Sequence, residues 1–267
     1  MLKKLLVSFL CFLGLAECTT PSERFASAAA NFGFYGFSLN AGIFDHQFYT
    51  NAKATQDIKE DALHVYLDGD GTPWENHQWI ADDPTSKKAM ILELMRQDNS
   101  AAIFLGRPCY QGLNKTSSCH YKYWTSHRYS QKVVRSMVQV LELWLHEHSF
   151  KKIVLIGYSG GGTLAVLMAP YVQEIQTIVT IAANLDVEAW SQYHGYNPLP
   201  ESLNPSATIL NANLRQVHIA GLDDNNVPAQ IIKTYAERQV DALYLPYAHF
   251  DHHCCWVKEW ASILRLL

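Results

Sequence analysis

The 267-residue chain is sparing with charge: Asp, Glu, Lys and Arg make up 17% of it, interspersed and nearly balanced at a formal −4. That excludes the basic footprint of a nucleic-acid binder and points to a small-molecule partner. No apolar run reaches the roughly 20 residues that span a bilayer as a helix, and the longest stretch near the start, residues 5–16, is only about twelve. Internal repeats, low-complexity tracts and linkers are also missing. Their absence argues for one domain, and 48% hydrophobic content is enough to bury a sizeable core. Neither Cys109 nor Cys119 has a Cys-x-x-Cys partner, so the usual structural zinc spacings are not met. No Gly-Lys-Ser or Gly-Lys-Thr follows a glycine-rich turn, which disfavours a P-loop.

What is present begins with a leader. Lys3 and Lys4 precede the short apolar run and Cys18 follows it, the layout of a secretory signal over residues 1–18. Leu15-Ala16-Glu17-Cys18 resembles the lipobox of bacterial lipoproteins, in which the Cys carries the lipid. Glu17 stands where a small residue is usual, and plain secretion without a lipid is the other reading. The expectation is an exported chain, lipid-anchored in a bacterial cell envelope through Cys18, periplasmic or secreted, with residues 19–267 as its single domain. Export permits disulfides. Cys109 and Cys119 flank a polar loop and are expected to pair, with free thiols as the alternative. Cys254 and Cys255 read as small buried hydrophobes.

Residues 32–50 carry aromatics broken by Gly33, Gly36 and Gly42, an opening antiparallel hairpin. Beyond them strand and helix alternate. Apolar segments at 63–67 and 101–105 read as strands, and those at 153–156, 175–182, 217–220 and, shorter, 243–245 as strands buried on both faces. Asp83-Pro84-Thr85 looks like a helix start, and residues 130–146 carry a helical apolar stripe. The pattern predicts an α/β class: a mostly parallel sheet with helices on both faces. The thirty or so residues at 183–216 leave room for little or no cap.

The residues that can carry chemistry sit at the ends of these strands. Gly157-Tyr158-Ser159-Gly160-Gly161 lies between a buried strand and a helix-compatible run at 163–168. A bare Gly-x-Ser-x-Gly arises by chance in on the order of one such chain in ten. A strand before it and a helix behind it are what a nucleophile elbow requires, with Ser159 as nucleophile and the Gly160 N–H at the positive helix end as an oxyanion donor. An acid and a base must follow in that order. Gly221-Leu222-Asp223-Asp224-Asn225-Asn226-Val227-Pro228 resembles the acid turn of α/β-hydrolases and places the acid at Asp224, with Asp223 and Asp186 as competitors. For the base, His249 comes first after the last strand, whereas His252 and His253 are expected to open the final helix and face solvent. The second oxyanion donor is sought in Asp68-Gly69-Asp70-Gly71, as the N–H of Asp70 or Gly71. Two carboxylates beside an oxyanion are unfavourable unless they point away and hold the loop. The cluster of His249, His252, His253, Cys254 and Cys255 matches no zinc spacing, and no metal or cofactor is expected.

Together these residues resemble the α/β-hydrolase superfamily over essentially the whole chain after the leader. Several segments are similar, more narrowly, to a little-characterised family of bacterial α/β-hydrolase lipoproteins. They include Tyr66-Leu67-Asp68-Gly69-Asp70-Gly71, Gly106-Arg107-Pro108-Cys109, Tyr123-Trp124-Thr125, Asn184-Leu185-Asp186, Ser202-Leu203-Asn204-Pro205 and His253-Cys254-Cys255-Trp256. The resemblance implies the fold, a Ser-His-Asp triad and export. It leaves the substrate open: an ester hydrolase is expected, with an amidase, peptidase or acyltransferase on the same site, or a binding protein with a decayed triad, as alternatives.

Overall fold

The computed structural model describes residues 19–55, 62–76 and 78–266. The expected signal and lipidation site, residues 1–18 with Cys18, lie outside the described residues. Among those described, no helix is long and apolar enough to cross a membrane.

The chain opens with α1 (Pro21–Asn31), then the strands β1 (Tyr35–Ala41), β2 (Phe44–Thr50) and β3 (Ala62–Leu67). A two-stranded ribbon, β4 (Trp74–Glu75) and β5 (Trp79–Ile80), precedes α2 (Met90–Arg96) and β6 (Ala101–Leu105). After α3 (Gln131–His146) come β7 (Lys152–Tyr158), α4 (Gly160–Met168), β8 (Ile175–Ile181), α5 (Val187–His194) and β9 (Arg215–Gly221). The last elements are α6 (Ala229–Glu237), β10 (Leu243–Tyr247) and α7 (Trp256–Leu264).

Eight strands form one sheet in the order β1-β2-β6-β3-β7-β8-β9-β10. The opening hairpin pairs antiparallel, as the glycine-broken aromatic run predicts, and β2 joins β6 antiparallel. Every pairing from β6 to β10 is parallel. The fully apolar runs are the central strands: all five residues of β6 are buried. The expectation of a buried strand at 243–245 fails: β10 is the outermost strand and none of its residues is buried, and at such an edge a proline is tolerated. One apolar cluster packs α3, α4 and α6 on one face, including Val133, Leu141, Leu164 and Ile232. A second packs α1, α2 and α7 on the other, including Phe25, Leu92, Met95 and Trp260. Between β8 and β9 there is only α5 and a single 3-10 turn, Pro205–Ala207, so the cap is minimal.

Three local readings change. Asp83 does not start a helix: its Oδ1 accepts from the Thr85 N–H at 3.0 Å and its Oδ2 from the Ser22 N–H at 2.9 Å, so it closes a turn and ties α1 down. α2 begins only at Met90. α1 itself was signalled by a capping box, Thr20 with Glu23, whose side chains and backbone N–H groups bond reciprocally. Cys254 and Cys255 are not buried hydrophobes: they are bonded to each other, and Cys254 is exposed.

Cys109 and Cys119 pair as expected, with Cα atoms 5.5 Å apart across a separation of 10 residues. On the chain-entropy account a loop of this size stabilises by roughly 2–3 kcal/mol. Replacing both cysteines by alanine should lower the unfolding free energy by about that amount in urea titrations, and reduction of the wild type at these cysteines should do the same.

Candidate active site

The chain leaves β3 toward β6 on one side and leaves β7 toward β8 on the other. Loops at the C-terminal ends of β3 and β7 therefore diverge, and open α/β sheets place ligands in the crevice so formed. Both glycine-rich segments of the sequence end there.

Ser159 follows β7 directly and stands before α4 with φ 50° and ψ −122°, a conformation rarely held by a non-glycine residue. Its N–H donates to the Ile181 carbonyl at 2.8 Å, which pins the turn to β8. Its side chain makes no capping bond, so the hydroxyl stands free of the helix. Gly157 is required by close approach: a Cβ there would lie 2.4 Å from the Gly161 backbone, where strand and helix touch.

The Ser159 hydroxyl meets His252, not His249. His252 Nε2 is 3.1 Å from Ser159 Oγ, and His252 Nδ1 is 2.8 Å from Asp224 Oδ2. Asp224 Oδ1 accepts from the N–H groups of Asn226 and Val227, both at 2.8 Å, and the carboxylate is fully enclosed. A carboxylate so placed accepts, which puts the imidazole proton on Nδ1 and leaves Nε2 to accept from the Ser159 O–H.

His249 points into solvent, its side chain 93% exposed, with Nδ1 3.7 Å from Asp223 Oδ2. The reason is a tight turn after β10: His249 holds φ 63°, and the chain returns at Phe250, whose carbonyl accepts from the Asp223 N–H at 2.9 Å. That bond brings residue 252 over the acid loop. The His252 carbonyl is then fixed by two donors, Tyr158 O–H at 2.8 Å and Trp256 Nε1–H at 3.1 Å. The expectation that His252 opens the final helix and faces solvent fails as well, since α7 begins at Trp256 and His252 is buried. The signal available was Asp251, whose Oδ1 accepts from the His253 and Cys254 N–H groups at 2.7 Å, a side-chain-closed turn that prolongs the loop past His249.

The two competing acids are occupied elsewhere. Asp186 caps α5 through the Ala189 N–H at 3.1 Å and accepts from Asn204 Nδ2 at 2.9 Å. Asp223 is exposed. A second Ser–His contact, Ser136 Oγ to His46 Nε2 at 2.6 Å, lies wholly buried with Nδ1 against the Gly106 carbonyl, and burial pushes this imidazole down to about 4. It is a core hydrogen bond without a carboxylate.

The loop after β3 lies against the serine: a Cβ on Gly69 would come 3.2 Å from Ser159 Cβ. Gly71 sits further along and packs on the Pro84 backbone. Both aspartates of this loop are held, and Asp70 Oδ1 lies against Gly160, 2.1 Å from where a Cβ would stand. Asp68 Oδ2 accepts from Ser86 Oγ at 2.5 Å. Asp70 accepts from Arg107 at 2.6 Å, Arg128 at 2.9 Å and the Tyr129 hydroxyl at 2.5 Å. Burial alone would raise the Asp70 carboxyl, but the two guanidiniums hold it at about 2. Asp68 has no such cation in contact, and burial pushes it up to about 6 despite the Ser86 bond.

No family model matches the sequence, and no curated protein matches it. Solved structures do. An esterase from Pyrococcus furiosus is similar with a TM-score of 0.60 at 12% identity, over 87% of this chain and 88% of that one. A lidless α/β serine hydrolase from Xanthomonas campestris reaches 0.56 at 10% identity over 87% and 94%. The proline iminopeptidase of Mycobacterium smegmatis reaches 0.61 at 8% identity over 87% and 97%. The chain has the α/β-hydrolase fold. In that fold the crevice above β3 and β7 is where the elbow stands, and Ser159 occupies it. The backbone N–H of Gly160, in the first turn of α4, has no partner within the helix and lies beside the serine.

The two loop aspartates should leave opposite marks on stability. A carboxyl held at about 6 when folded, against its ordinary 3.8, keeps its proton while the unfolded chain loses one, so stability falls as pH rises from about 4 to 6. Asp68→Asn should remove that decline, raising stability relative to wild type at pH 7 more than at pH 4, by on the order of 3 kcal/mol in difference. Asp70, held low, contributes stability present above its unfolded value and lost as pH falls toward 2. Urea unfolding of wild type and Asp68→Asn at the two pH values measures the first of these.

Proposed function

We propose that the chain is a serine hydrolase that cleaves carboxylic esters through an acyl-enzyme. The observation that carries this is the continuous hydrogen-bonded line from Ser159 through His252 to the enclosed Asp224. Ser159 Oγ attacks the carbonyl while His252 Nε2 takes its proton. Asp224, fixed by two backbone N–H groups, holds the ring and faces the imidazolium that forms. The oxyanion is received by the N–H group of Gly160 together with that of Asp70 or Gly71. His252 then returns the proton to the leaving alcohol, and water repeats the sequence to release the acid. The minimal cap between β8 and β9 favours small or extended acyl groups that enter from an open side. The leader-like pattern of residues 1–18 supports export of this chemistry, either anchored by a lipid on Cys18 or secreted without one.

A peptide or amide substrate is the second reading, favoured by the similarity to a proline iminopeptidase. It uses the same line of residues and differs in the leaving group. Turnover of matched p-nitrophenyl ester and p-nitroanilide substrates separates the two.

The test of the reading is a pair of histidine variants. Ser159→Ala and His252→Ala should each lower kcat for a short p-nitrophenyl ester by about 10³-fold or more and abolish fluorophosphonate labelling, whereas His249→Ala should keep kcat within about threefold. Full activity in His252→Ala, or its loss in His249→Ala, would overturn the assignment of the base.

A further inference from the structure

The loop after β3 carries an acid where acid is least expected. Gly160, the residue after Ser159, has no side chain, and the space it leaves is filled from across the crevice: a Cβ there would lie 2.1 Å from Asp70 Oδ1. We infer that Asp70 is a positioning residue whose carboxylate, clamped by Arg107, Arg128 and Tyr129, sets the oxyanion-binding N–H groups of the 68–71 loop. This rests on the serine-hydrolase reading of the site.

The clamp acts on backbone as well as side chain. Arg107 Nη1 donates both to Asp70 Oδ1 at 2.6 Å and to the Gly69 carbonyl at 3.2 Å. Because a trans peptide holds its C=O and N–H in opposite directions, a Gly69 carbonyl turned to Arg107 turns the Asp70 N–H away from it. The next peptide is fixed likewise, with the Asp70 carbonyl accepting from the Tyr110 hydroxyl at 3.0 Å. Both guanidiniums are held in turn: Arg107 Nη2 donates to the Arg128 carbonyl at 3.0 Å and Arg128 Nε to the Thr125 carbonyl at 2.8 Å. Two consecutive peptide planes beside Ser159 are thus oriented by Arg107 and Tyr110.

Electrostatics and positioning predict opposite outcomes for Asp70. Two guanidiniums face one carboxylate, so removing that charge makes the crevice more positive, which alone would favour an oxyanion. Loss of the clamp instead lets the N–H groups drift, and displacements near 1 Å cost on the order of 100-fold in rate.

The experiment compares wild type, Asp70→Asn and Tyr129→Phe in three measurements: ester hydrolysis, inhibition by an alkyl boronic acid that forms a tetrahedral anion on serine, and thermal unfolding. Asp70→Asn should lose on the order of 10- to 100-fold in kcat with KM within about threefold, and boronate affinity should fall in parallel with kcat/KM. Tyr129→Phe, which removes one hydrogen bond and keeps the charges, should shift kcat and boronate affinity in the same direction by a smaller factor, with its unfolding midpoint within a few degrees of wild type. If Asp70→Asn does not fold, the Tyr129→Phe pair of readings decides. Unchanged or improved kcat and boronate affinity in the folded variants overturns the positioning role while leaving the hydrolase reading intact. A wild type that neither turns over the ester nor binds the boronate at Ser159 overturns the hydrolase reading itself.

Discussion

The turn at Ser159 is the constraint around which the crevice is built. A non-glycine residue at φ 50° is strained by about 1–3 kcal/mol and persists only where its surroundings over-determine it. Here the Ser159 N–H is fixed to the Ile181 carbonyl, Gly157 lets β7 meet α4 backbone to backbone, and Gly161 lets α4 meet the end of β3 at Leu67 and Asp68. The sharpness of that turn brings three things to one place: a hydroxyl that is not spent on capping, the first N–H of a helix, and the flank of the β3 loop. Burial of the central strands holds this arrangement, since β6, β3 and β7 are enclosed by helices on both faces.

Around the serine, charge is handled in two different ways. Asp224 is enclosed without a cation in contact and is satisfied by two backbone N–H groups and one imidazole, so its field is directed along the line to His252. Asp70, on the other side, is matched by two guanidiniums and a phenol, and its carboxyl sits near 2. On the proposed serine-hydrolase reading, the first carboxylate faces a group that gains positive charge during reaction. The second is neutralised, so a developing negative charge nearby meets no net repulsion. Two acids of one chemistry thus stand within one crevice in roles set by their partners.

Much of this was legible in the sequence, and the limits are instructive. Central strands such as β6 and β7 announce themselves as apolar runs because both faces are covered, and the elbow because glycine spacing and a strand-to-helix change coincide at Ser159. Asp224 is readable because its turn is local: Oδ1 bonds the N–H groups two and three residues on. His252 is not local in this sense. Counting from the end of β10 selects His249, but the turn at residues 248–249 and the Phe250–Asp223 bond carry the chain past it, and the donors that fix residue 252 are Tyr158 and Trp256. The clamp on Asp70 was equally hidden, since Arg107 and Arg128 are 37 and 58 residues away and nothing in their own surroundings in sequence marks them as its partners. The requirement that loop carboxylates be kept from opposing an oxyanion followed from charge alone, but Asp70 does not point away: its Oδ1 lies against Gly160 and faces two guanidiniums instead.

The central claim is that Ser159 becomes acylated with His252 as its base. Quenching the protein in acid after mixing with an activated ester and locating any acyl group by peptide mass spectrometry tests it most directly. The account predicts one acyl group per chain, on the peptide carrying Ser159, and none in His252→Ala under the same conditions. Acyl found on another side chain, or undiminished on Ser159 after His252→Ala, would contradict it.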